Sequence, residues 1–216
     1  MTNPHPEPLI FPTGVRFLRD DEFPRGYEAE RERIASANIT TGWVQKNVED
    51  RGYTAYFEVN VHAPRIWQVV RDIAEAILPE AAAPIVGVKE EDPVLGPYTT
   101  RDAAIAVFEP FVEFLQHDGF IEFGLIFQRD GHTEEVFVES VKYLKIWTNQ
   151  PATVQAVLWK HALPEVPDLK FIDEYPRVSE SLQTAQGNAR WPEALEGLRD
   201  AFAQLPPAPE ISYGSH

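Results

Sequence analysis

The chain has 216 residues, 44% of them hydrophobic and including 13 Phe, 7 Tyr and 5 Trp, enough apolar material to exclude a wholly disordered polymer. Its 19 Lys and Arg against 34 Asp and Glu give a formal charge of −15. That field repels phosphate backbones and argues against a nucleic-acid partner. With no cysteine, a disulfide framework, a thiolate zinc site and a thiol nucleophile are all excluded.

Pro4, Pro6, Pro8, Pro12 and Pro24 make residues 1–25 an extended arm, because proline fixes φ and removes a backbone donor. Its apolar Leu9, Ile10, Phe11, Val15 and Phe17 are expected to dock. Residues 19–33, dense in both charges, read as a solvated turn or short helix. From Tyr53 the pattern alternates: Tyr53, Ala55, Phe57, Val59 and Val61 on one face, Thr54, Tyr56, Glu58, Asn60 and His62 on the other. This is a half-buried strand. Ala63-Pro64 then opens a helix carrying Ile66, Val69, Val70, Ile73 and Ile77 at helical spacing and stopping before Pro79.

Residues 84–89 read as a short strand, followed by the acidic loop Glu90-Glu91-Asp92-Pro93. Thr100 is the expected N-cap of a helix over 101–116, in which Pro110 predicts a kink or two helices meeting. Gly119 is the expected left-handed cap at its end. A strand over 120–128, a hairpin connection at Asp130-Gly131 and a long partner strand over 135–147 follow. Pro151 starts another helix, 169–172 makes a short strand, and a last helix covers 192–204. The order predicts an α+β fold: an antiparallel or mixed sheet with helices packed on one face, split-βαβ-like. One domain over 26–205 lies between the arm and a tail at 206–216.

No stretch reaches the roughly 20 apolar residues of a membrane span, and the start lacks a basic segment followed by an apolar run. The expectation is a cytoplasmic chain without a membrane partner. The sequence also lacks the phosphate-cradling, dinucleotide-binding, nucleophile-elbow and paired-histidine zinc motifs. No cofactor and no metal are expected. Two histidine clusters, His117-Asp118 and 130–135, flank one predicted strand, so about 26 Å of extended chain keeps them from sharing an ion. Glu135 and Glu139 fall on one face of the 135–147 strand with Tyr143, Lys145 and Trp147, while Lys142 has the wrong parity for a nuclease-type Glu-x-Lys pair.

Two functions follow. The first is a non-catalytic acidic module that neutralises or escorts a basic protein, binding it through Glu90, Glu91 and Asp92 together with Trp67 and Trp159. In size and charge the chain is similar to the small acidic immunity proteins that inhibit nuclease-type toxins in bacterial competition, a resemblance of type without a shared motif. The alternative is a small-molecule binder or enzyme with a cleft between the sheet and the 101–116 helix, lined by Tyr56, Glu58, His62, His117 and Asp118.

Overall fold

The structure is a computed structural model and describes residues 4–48, 52–187 and 191–208. In chain order the strands and helices are β1 Val15–Phe17, α1 Glu28–Ala35, β2 Gly42–Asn47, β3 Ala55–Asn60, α2 Ile66–Ile77, β4 Ala81–Val88, β5 Val94–Leu95, β6 Thr99–Thr100, α3 Arg101–Ala106, α4 Val112–His117, β7 Ile121–Arg129, β8 His132–Val138, β9 Leu144–Thr148, α5 Pro151–Lys160, β10 Arg177–Ser179, α6 Leu182–Gln186 and α7 Trp191–Ala203. The fold is α+β. Its main sheet has the order β2-β3-β9-β8-β7-β4-β5, with β6 pairing β4 off that path. Every step from β3 to β4 is antiparallel, so these two strands, joined through α2, run parallel. The β7–β8–β9 meander fills the gap between them, which makes a βαβ unit split by three strands.

The helices pack on one face of this sheet. Phe57 and Val59 of β3, Phe123 and Leu125 of β7 and Val136 of β8 are fully buried there. They lie against Ile66, Val69, Val70 and Ile73 of α2, Leu115 of α4, Val154 and Leu158 of α5 and Leu198 of α7. Each such side chain contributes about 1.5–3 kcal/mol by leaving water. A second, smaller core lies under the arm, where Val15, Ile39, Val141, Tyr143, Leu169, Phe171 and Ile172 are joined by Leu9, Phe11 and Phe17. The arm is fixed to this core by the β1–β10 pair.

Thr100 caps α3, its hydroxyl accepting from the amide of Ala103 at 3.3 Å. Thr100→Ala should lower stability by about 1 kcal/mol in urea unfolding; a loss below about 0.3 kcal/mol would mean the β6–β4 pairing alone starts this helix. Pro110 does divide the predicted 101–116 helix, leaving α3 and α4 with a short 3-10 turn, Glu109–Phe111, between them.

Three expectations are corrected. The 135–147 segment is not one strand but β8 and β9, folded back through 139–143. Lys142 supplies the reversal from the left-handed region at φ 69°, and its amide donates to the Glu139 carbonyl at 2.8 Å. Gly119 is not a left-handed cap. Its hydrogen occupies a backbone crossing where a Cβ would stand 2.2 Å from the Gly14 carbonyl oxygen and 2.8 Å from that of Glu180. Residues 169–172 form no strand; Leu169 and Phe171 pack into the second core, and a 3-10 turn, Ile172–Glu174, follows.

Candidate functional site

Strand alternation sends half of the sheet's side chains away from the helices. The registers place Lys46, Tyr56, Trp147, Glu135, Ile126 and Ala83 in one row across β2-β3-β9-β8-β7-β4. A neighbouring row runs Val44, Glu58, Lys145, Phe137, Gly124, Ile85 and Leu95. The second core covers the Val44 and Tyr143 end of this face. Ile126, Phe137 and Trp147 belong to neither core, and Leu95 is 55% exposed. Gly124 leaves the room Phe137 uses, since a Cβ there would meet the Phe137 ring at 2.9 Å. Tyr56 and Trp147 lie with ring centroids 5.3 Å apart. The result is an apolar, aromatic surface on the open side of the sheet.

Among the described residues its charged groups have partners, with one exception. Lys46 holds Glu58 at 2.9 Å, and Lys145 holds Glu139. Glu122 accepts from Ser140, and burial beside Glu139 raises its carboxyl above the ordinary range. Glu135 has no hydrogen bond or ion pair among the described residues. It stands between Ile126 and Trp147, and burial pushes its carboxyl up to about 7. Burial disfavours the charged form, and no donor among the described residues opposes it. Lys145, diagonal to Glu135 across the β8–β9 pair, is the nearest cation in register and is engaged by Glu139.

The residues singled out from the sequence fall in several places. Glu90, Glu91 and Asp92 are exposed in the β4–β5 turn, beyond Gly87, which pairs with Glu122, so the loop extends the acidic border of the open face. Trp159 is 42% exposed, but it belongs to α5 on the helical side. Trp67 is corrected from surface to core: it is 6% exposed and packs against Phe108 and Phe123 with centroids 5.7 and 6.4 Å away.

The cleft between the sheet and the 101–116 helix is also corrected. Tyr56 and Glu58 share the open face, opposite to α3 and α4. Glu58 instead helps line a cavity of about 400 Å³ against 167–174, with Lys46, Tyr143 and Asp173. His62 holds the arm, its Nδ1 accepting from the Ile10 amide at 3.1 Å and its Nε2 lying 3.3 Å from Glu7. His117 Nδ1 accepts from the Thr13 amide at 3.3 Å, and burial lowers the proton affinity of its ring. Asp118 is fully buried and accepts from the Phe120 and Leu182 amides at 2.9 and 2.7 Å. These groups bind parts of the chain to one another rather than converging on one cleft.

A third region, overlooked in the sequence, is a cavity of about 530 Å³ at the tip of the β7–β8 hairpin, lined by Ile77, Leu78, Phe127, Arg129, His132 and Gln150 among others. His132 Nε2 lies 3.2 Å from the fully buried Glu134, and its Nδ1 lies 3.4 Å from the Asn149 amide nitrogen. Both ring nitrogens thus have polar neighbours within the protein, on a side chain that is half exposed. Among the described residues no group of three His, Asp or Glu is placed to hold a metal ion, and no helix is long and apolar enough to cross a membrane. The sequence signal for Glu135 was its parity with Trp147; what the sequence could not give was that the two face each other across adjacent strands.

Comparison with protein-family models, curated proteins and solved structures finds no match.

Proposed function

We propose that this chain is a non-catalytic acidic binding module that neutralises or escorts a basic protein, engaging it through the open face of the sheet and the acidic loop beside it. The observation that carries the reading is Glu135, a carboxyl group with no hydrogen-bond or ion-pair partner among the described residues, on a partly covered aromatic surface. Interfaces draw their affinity from desolvated aromatic and charged anchors, and opposite net charge speeds encounter. The −15 charge of the chain steers basic proteins toward it. An inhibitor of a basic toxin, of the immunity-protein type, is one form such a module takes.

The test is capture by the immobilised full chain at rising salt, with bound proteins identified by mass spectrometry. One stoichiometric basic partner should be retained and then released as salt screens the contact. Reversing Glu90, Glu91 and Asp92 together to Lys should weaken retention about tenfold or more. Retention indifferent to salt and to this reversal would sink the reading. A second reading, a small-molecule binder, is favoured by the 530 Å³ hairpin cavity, which has the size of a ligand pocket. A metabolite that co-purifies and is lost on Phe127→Trp would move the function there.

A further inference from the structure

We infer that the middle of the open sheet face is a seat for a single arginine side chain, presented by an apolar surface of the partner protein. This rests on the binding-module reading and specifies what that partner must carry. The face offers two complementary surfaces. Around the centre are Ile126, Phe137, Trp147 and the 55% exposed Leu95, which accept apolar contact. At the centre is Glu135, directly opposite Trp147 across the β8–β9 pair.

Directly opposed residues have Cβ atoms about 5 Å apart. A carboxylate and an indole so placed can accept a guanidinium with its N–H groups on the carboxylate and its plane against the ring. Arginine suits this site better than lysine, because its flat, weakly hydrated cation stacks and makes two parallel hydrogen bonds. The two lysines of the face are occupied by Glu58 and Glu139 and Glu122 accepts from Ser140, which leaves Glu135, among the described residues, as the carboxylate of this face with neither a cation nor a hydrogen-bond donor. Charge complementarity also decides among occupants. A second copy would bring another chain of −15 charge, with carboxylates meeting carboxylates. The last eight residues carry Glu210 and His216 and neither Lys nor Arg, so they supply no guanidinium.

The experiment is an NMR titration of the full chain with acetyl-Leu-Arg-Leu-amide, and with the same peptide carrying citrulline, the neutral isostere of arginine. The expected result is saturable shifts at the Ile126, Glu135 and Phe137 amides and the Trp147 indole N–H, with millimolar affinity. Affinity should be about tenfold weaker for citrulline. A similar loss is expected for the arginine peptide on the Glu135→Gln variant, and Trp147→Leu should weaken binding about threefold. Equal affinity for the two peptides, shifts confined to 90–92, or no saturation by about 20 mM would overturn the inference. So would peptide binding seen only after Arg51→Ala or Arg190→Ala, the two arginines outside the described residues, since either result assigns the seat to the chain's own arginine. If the inference fails while salt-released capture persists, the binding module stands and its contact lies elsewhere. If capture fails too, both are lost.

Discussion

Replacing Asp118 with alanine should cost about 4 kcal/mol of stability, read as a lower urea midpoint at unchanged slope. The side chain is fully buried and is the acceptor for two amides, those of Phe120 and Leu182, in segments far apart in sequence. Removing it leaves both N–H groups without that acceptor. It also takes an anion from the surroundings of Lys142, which is 2% exposed and donates to the Ile121 carbonyl. Burial pushes the Lys142 amine down to about 7, against the pull of Asp118, Glu122 and Glu139.

The sign of the pH dependence follows. Unfolded, Lys142 holds its proton up to the ordinary lysine value near 10.5; folded, only to about 7. Between these values the unfolded chain binds more protons, so this group makes stability rise with pH. The Asp118→Ala cost should therefore be smaller at pH 9, where a neutral Lys142 needs no counter-charge, than at pH 6. A total loss below about 1 kcal/mol would show that water replaces the carboxylate.

Glu135→Gln is expected to do the reverse and stabilise the protein. The folded carboxyl titrates near 7, the unfolded one near 4.5, so between those values the folded chain binds more protons. Stability from this group thus falls as pH rises from 4.5 and is lowest above 7. The full shift is worth roughly 3 kcal/mol. Glutamine keeps a polar amide in the same place, so a gain of about 2 kcal/mol at pH 8 is the expected result. At pH 4.5 the two proteins should agree within about 0.5 kcal/mol. No gain at pH 8 would mean that Glu135 finds a donor in solution. A gain would identify a residue that costs the fold and is retained for another reason, as binding and catalytic groups commonly are.

The elements legible in the sequence are those whose signals are local. Tyr53 to Val61 alternate, Pro64 sits at the first turn before α2, Thr100 precedes its helix, and Asp130-Gly131 takes the left-handed pair of conformations, φ 50° and 77°, that a two-residue hairpin needs. The break between β8 and β9 was not legible, because its reversal is carried by a lysine at φ 69° rather than by glycine, asparagine or proline. The misplaced cleft has a different cause. Parity correctly put Tyr56 and Glu58 on one face of their strand, but which face the helices would cover is decided by the whole sheet. Trp67 sits beside Ile66 on a helix, and only the neighbouring aromatics Phe108 and Phe123 show that its ring points inward. Glu135 was visible as sharing a face with Trp147; its isolation became apparent only when every nearby lysine was found to have a partner.

The split crossover also sets the order in which this protein can be completed. β3 and β4 leave a gap that is filled by β7, β8 and β9, all later in the chain. When β2, β3 and α2 have left the ribosome, Phe57 and Val59 have the β2 neighbour but none of the strands that lie between β3 and β4. The last of these to be made, β9, is the one that bonds β3 to the rest of the sheet. Non-local pairing of this kind pays loop-closure entropy before it gains contacts, so refolding belongs to the slow, millisecond-to-second class. During synthesis the nascent chain carries an exposed apolar strand until residue 148 emerges, and that interval is when a chaperone has most to shield.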